Sequence, residues 1–225
     1  MRDGVASVYS GFAALMAALP HDTLVGVDMP VGLLDGWEPG GRQADSLARA
    51  RLGAVRGTSV FSAPPRIALE HWRREPHYLA VKAAVDGHLT KQSFFILDKI
   101  AEVDDFVRAN GQQRVVEIHP ELGFMELAGT PLLEPKRTGA GQARRRALLE
   151  RAGITVPSRP PAPARVPPVV AGSGPSGKPP RVAWDDVLDA TVVAWSAARV
   201  VAGTAGRLPG APPVDRHGLR MEVRW

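Results

Sequence analysis

The sequence predicts an α/β fold, and three stretches carry that reading. Two short, almost wholly apolar runs, "TLVGVDMP" (23–30) and "RVVEIHP" (114–120), have the length and branched-residue content of strands covered on both faces. A third, "WDDVLDATVVAWSAARVVAG" (184–203), places Trp184, Leu188, Thr191 and Trp195 on one helical stripe. Strands separated by helical patterns of this kind build a layered sheet with helices packed against it.

In chain order, "VASVYS" (5–10) alternates weakly and predicts a strand, and "FAALMAALP" predicts a helix closed by Pro20. Residues 42–52 predict a helix ended by Gly53, and 56–66 a loop with a hydrophobic centre. Helical spacing covers 67–86 and 92–109, the second run carrying Phe95, Ile96, Lys99, Ile100 and Val103. Pro120 opens another helix at a position proline tolerates, and 139–152 form a basic helix. From Pro157 to Pro180 the composition collapses into Pro, Ala, Gly and Ser, which predicts a flexible insertion in a single domain spanning 1–225. The closing "LRMEVRW" alternates like a last strand.

The 225 residues are 44% apolar, ordinary for a globular core, and carry a formal charge of +5 with a pI near 10.1. That balance suits a polyanionic partner such as nucleic acid. With no cysteine, a disulfide framework and a thiolate zinc site are both excluded, and a cytoplasmic location is the default expectation. No apolar run reaches membrane-spanning length, and Asp3 stands where a signal peptide wants positive charge. No membrane partner is expected.

A glutamate in the middle of "VVEIH" poses the chemical question, because an unpaired carboxylate taken out of water costs several kcal/mol. Glu117 therefore requires a partner. Asp28 ends the other apolar run, where open α/β sheets place functional groups. Asp186 and Asp189 are three apart on the long helix, and Asp185 is a four-residue partner of Asp189. Gathered together, such carboxylates suit hard divalent cations, Mg²⁺ or Mn²⁺, and two such ions would serve in-line phosphodiester displacement. The same residues also allow structural roles: a turn cap for Asp28, helix N-terminal positions for Asp185 or Asp186, and a buried arginine for Glu117.

Seven blocks in order, "VGVDMPVGL", "RGTSVF" with "PPR", "LTKQSFFILDKIAEVD", "VVEIHPELGF", "KRTGAGQARR", "DDVLDATVVAW" and "GLRMEV", cover nearly the whole chain outside the proline-rich stretch. In these the chain resembles a bacterial and archaeal family of uncharacterised proteins predicted to be ribonuclease H-like nucleases, the domain of unknown function family 429. The resemblance implies a mixed five-stranded sheet flanked by helices and a metal-dependent nuclease activity. It matches Asp28, Glu117, Asp186 and Asp189 to the family's metal-holding carboxylates. Family members usually open with a strand carrying "GVDG", which this sequence lacks, so against the resemblance the fold is N-terminally shortened by its first two strands, either because the start is placed too late, the favoured reading, or because this is a shortened relative.

Around these carboxylates, Arg56, Thr58 and Ser59 offer a guanidinium and two hydroxyls as a phosphate cradle, or an ordinary loop anchored by Val60 and Phe61. Lys91, Lys136 and Arg137 are further candidates for substrate phosphates, with Gln92 and Arg144 to Arg146 beside them. His119 has the right chemistry for proton transfer, and Glu121 is a further acid there. No G-x-S-x-G elbow or Walker-type loop occurs. The functional expectation is a divalent-metal nuclease with a two-metal mechanism. Its alternatives are a non-catalytic nucleic-acid-binding relative and a small-molecule phosphotransferase or hydrolase on the same scaffold.

Overall fold

The computed structural model describes residues 6–157 and 182–225, so the predicted insertion lies almost entirely outside the described residues. Two parallel strands, β1 (Val25–Val27) and β2 (Val115–Glu117), pair with Val25 opposite Val115 and Val27 opposite Glu117. A second pair, β3 (Arg207–Leu208) and β4 (Val223–Arg224), is antiparallel. One parallel bridge from Ile118 to Arg224 lays β4 alongside β2, so the two small sheets are continuous at that point.

Helices cover this centre. They are α1 (Phe12–Ala18), α2 (Gln43–Arg56), α3 (Arg66–Arg74), α4 (Tyr78–Ala83), α5 (Lys91–Phe94), α6 (Leu97–Asn110), α7 (Pro120–Ala128), α8 (Gly139–Arg151) and α9 (Trp184–Val201). Val25, Val27 and Val115 pack with Phe12 and Met16 of α1 and Val103 and Val107 of α6. Val116 and Ile118 pack with Val193 and Ala197 of α9 on the other side. Both faces of the β1–β2 pair are therefore covered, which is why its strands read as continuous apolar runs. None of the helices is long and apolar enough to cross a membrane, among the described residues.

The structure is mixed α/β as the sequence predicts, with local differences. Residues 6–10 form no strand, having no pairing partner among the described residues. The run 67–86 is two helices, because Pro76 forces Glu75 into an extended conformation (φ −142, ψ 93) that ends α3. The run 92–109 is also split, at Phe95 and Ile96, and Phe95 faces solvent. Gly53 interrupts α2 at φ 62, close to the predicted helix end. Only Val223–Arg224 of the predicted last strand joins a ladder, although Leu219, Met221, Val223 and Trp225 alternate into the core.

Candidate functional site

The partner of Glu117 is Arg42. Arg42 Nη2 and Nη1 donate to Glu117 Oε1 and Oε2 at 2.6 and 2.8 Å, and the Val31 N–H donates to Oε2 at 2.7 Å. The guanidinium also holds Asp45, with Nη2 2.6 Å from Oδ1, and donates to the carbonyls of Val31 and Gly32. Burial pushes the Glu117 carboxyl up and the charge and hydrogen bonds of Arg42 draw it back down. Arg42 itself is held more firmly protonated than a free arginine; burial opposes this, and Asp45 and Glu117 prevail.

This pairing separates Glu117 from the other predicted carboxylates. Alternation along β2 puts Glu117 on the same face as Val115, away from Val116, Ile118 and α9. Asp28 follows β1 and continues the alternation toward the α9 side, where its electrostatic neighbours are His119, Lys136 and Glu121. A narrow cavity of about 30 Å³ still touches both Asp28 and Glu117.

The acidic group that does assemble comes from three elements. Asp28 stands at the end of β1, Glu121 in the first turn of α7, and Asp185 and Asp189 on the inward face of α9. Lys136, in the loop before α8, is their common cation. Its Nζ donates to Asp189 Oδ2 at 2.6 Å and feels the charges of Asp28 and Asp185 as well. Burial alone would lower the Lys136 pKa, but these carboxylates raise it. Asp189 is pushed up to about 6, first by burial and then by Asp28 and Glu121, against the pull of Lys136. Asp28 is exposed at the end of β1, yet the desolvation of its carboxyl raises its pKa; His119 and Lys136 oppose the rise, and Glu121 adds to it.

Two buried carboxylate oxygens in this group, Asp189 Oδ1 and Glu121 Oε2, have no hydrogen-bond partner. The other Glu121 oxygen accepts from Arg145 Nη2 at 2.5 Å, and Arg145 is wholly buried. Among the described residues, no three acidic or histidine side chains converge closely enough to form a finished metal site. Lys136 at Asp189 and Arg145 at Glu121 are the cations bonded to the group.

The remaining predicted residues divide. Asp186 faces solvent and accepts the Ala183 N–H at 3.1 Å as a helix N-terminal cap, so the inward pair on α9 is Asp185 with Asp189. Arg56 donates to the carbonyls of Leu132 and Leu133 at 2.6 and 3.0 Å and lies 3.9 Å from Glu121 Oε2, so it hangs the Lys136 loop beside the acidic group. Ser59 donates its hydroxyl to the Arg56 carbonyl at 2.7 Å, and its own carbonyl lies 3.4 Å from His119 Nε2. His119 Nδ1 is buried without a partner. Arg137 is exposed, 3.6 Å from Asp185. Lys91 is exposed at the start of α5 and makes no ion pair among the described residues.

The predicted basic surface on α8 is smaller than its sequence implies. Arg145 is internal and Arg146 lies over the Trp184 ring, which leaves Arg144 facing solvent. Arg42 and Asp45 are not among the expected site residues, and Arg145, expected on the substrate-facing basic stretch, is instead the buried partner of Glu121. For Arg145 a signal existed: Gly141, Arg145, Leu148 and Leu149 share one buried stripe. No curated protein and no solved structure matches the chain. A family model does match, over residues 2–214, and the chain belongs to the family described as "Protein of unknown function (DUF429)".

Proposed function

We propose that this protein is a divalent-cation-dependent phosphodiesterase acting on nucleic acid, with a ribonuclease H-like arrangement of its carboxylates. The observation that carries the reading is the pair of buried oxygens without hydrogen-bond partners, Asp189 Oδ1 and Glu121 Oε2, on carboxylates whose other oxygens are held by Lys136 and Arg145. Leaving such oxygens unbonded is costly, and a cation that both could reach would remove the cost.

The donor set is all oxygen, which fits Mg²⁺ or Mn²⁺, and Asp28, Glu121 and Asp189 would hold the ion with Asp185 beside them. With Glu117 and Asp186 engaged elsewhere, the set leaves ligands for one ion rather than the two expected from the sequence, and Asp28, Glu121 and Asp189 would have to draw closer together to hold it. When bound, the ion supplies a more acidic water and charge stabilisation on a phosphoryl oxygen. The chain supplies the rest. His119 offers an uncommitted nitrogen for holding or moving a proton beside Asp28. Lys136, once displaced from Asp189, and the exposed Arg137 stand ready for substrate phosphates. Arg145 fixes the Glu121 carboxylate, and Arg56 fixes the loop that bears Lys136.

A second reading, a nucleic-acid-binding protein without catalysis, is favoured by the 2.6 Å bond from Lys136 to Asp189, which already neutralises the acid expected to bind metal. Two measurements separate them. Thermal melting of the wild type with Mg²⁺ and Mn²⁺ should show stabilisation that Asp189→Asn abolishes. Cleavage of single-stranded and duplex DNA and RNA should require the ion and be lost in Asp28→Asn. Salt-sensitive binding without an ion-induced melting shift or cleavage would establish the second reading instead.

A further inference from the structure

A second polar cavity lies at the opposite end of β2 from the acidic group. Glu121 follows the C-terminal end of that strand, whereas Gln112 and Gln113 precede its N-terminal end. Together with the last turn of α6 and residues 217–220, they line an open cleft of about 640 Å³, a size typical of small-molecule sites.

The walls are held in place before any ligand arrives. Gln112 Oε1 accepts the Arg220 N–H at 2.8 Å, and its Nε2 donates to the Arg220 carbonyl at 3.1 Å. Asp215 Oδ1 accepts the N–H groups of His217 and Leu219 at 2.9 and 3.0 Å, and its Oδ2 is fixed by buried Arg66 at 2.7 Å. The turn bearing His217 and Arg220 is thereby anchored to the core.

The lining carries uncommitted positive charge. Arg220 has only its Nε near an acid, 3.3 Å from Glu222, and neither η nitrogen has a partner among the described residues. Arg108 comes no closer than 3.7 Å to Asp104. The cavity's own carboxylate, Asp105, is already taken by Arg73 at 2.6 Å. His217 is exposed on the lining, held below the usual imidazole value by the desolvation of its ring and then by the charges of Arg66 and Arg108. The exposed amide of Gln113 completes the ring of donors.

We propose that this cavity binds a small phosphorylated molecule of mononucleotide size, with Arg108 and Arg220 on the phosphate and His217 and Gln113 on the remaining polar body. Two guanidinium forks from different elements supply more donors than one carboxylate can accept, whereas a phosphate presents oxygens in several directions. A polymer is disfavoured because the positive groups are confined to this one cleft, with Asp105 on its lining. The site is independent of the acidic group and stands or falls separately from the proposed phosphodiesterase.

Calorimetric titration with inorganic pyrophosphate and with AMP, at low ionic strength and with EDTA present, tests it. Both should bind saturably, one molecule per chain, and shift the ring resonances of His217. The Arg108→Gln/Arg220→Gln double variant gives up the Nε bond to buried Glu222 and should melt below wild type while staying folded at the titration temperature. It should bind the probes at least about tenfold more weakly. Gln113→Ala, a variant without charge change, should weaken AMP more than pyrophosphate. Absence of saturable binding, or equal affinity in the double variant, would overturn the site. A short single-stranded oligonucleotide that depends on these arginines while pyrophosphate and AMP do not bind would overturn the small-molecule ligand.

Discussion

Arg42 grips both oxygens of Glu117 inside the protein, at 2.6 and 2.8 Å, while the same guanidinium holds Asp45. The charge at the centre of β2 is thus a neutralised element of the fold, joining the strand to the start of α2 and to the backbone at Val31. Arg42→Met should leave Glu117 and Asp45 buried and unpaired, at a cost of about 3–5 kcal/mol. Denaturant unfolding should show that loss, with Arg42→Met/Glu117→Gln recovering part of it. A single variant as stable as wild type would mean that the pairing contributes nothing.

Asp189 gives a pH signature. Its pKa is about 6 in the folded protein against 3.8 for the free side chain, so between those values the folded state binds the proton that the unfolded state has released. Stability from this residue should fall as pH rises from near 4 to near 6, by up to about 3 kcal/mol, and then level off. Asp189→Asn should match wild type near pH 4 and exceed it above pH 6, less whatever the Lys136 pair contributes. Urea midpoints across pH 4.5–8 measure this, and a gap that does not vary with pH would contradict it.

Under the proposed reading, Lys136 and an added cation compete for the same carboxylate, that of Asp189. Lys136→Met should enlarge the melting shift produced by Mg²⁺ or Mn²⁺; a tenfold gain in ion affinity corresponds to about 1.4 kcal/mol at saturation. An unchanged or smaller shift would show that the lysine does not stand in the ion's place.

Gly26 sets how closely α9 approaches the strands. A Cβ there would lie 2.7 Å from Ile118 Cδ1, 2.8 Å from Val193 Cγ1 and 3.2 Å from the Val193 carbonyl oxygen. Gly26→Ala should therefore cost about 1–3 kcal/mol by pushing the helix outward. Because Asp189 rides on that helix, the ion-induced melting shift should shrink too. Calorimetry with and without ion reads both effects.

Much of this architecture was legible. The apolar runs around Gly26 and Val116 announce strands covered on both sides, and the Trp184–Trp195 stripe announces α9. Asp28 and Asp189 are recognisable because each lies beside buried apolar neighbours. Glu117 could be flagged as needing a partner, but its choice of Arg42 depends on a loop packing that no local spacing encodes. The inward turn of Asp185 rather than Asp186 is a matter of helix rotation, and both phases fit the same pattern of acids. The break at Glu75 was legible in Pro76, which follows it, whereas nothing so local marks the one at Ile96.

The register of β1 against β2 also has a kinetic meaning. Val25 meets Val115 across about 90 residues of intervening chain, and α9 is later still in sequence. Loop closure over such spans comes late and slowly, so early, collapsed forms of the polypeptide have their acids dispersed and their lysine uncommitted. Divalent ions added during refolding should accordingly leave the rate of the main phase unaltered while slowing escape from the finished state, which places the carboxylates' mutual repulsion after the rate-limiting barrier.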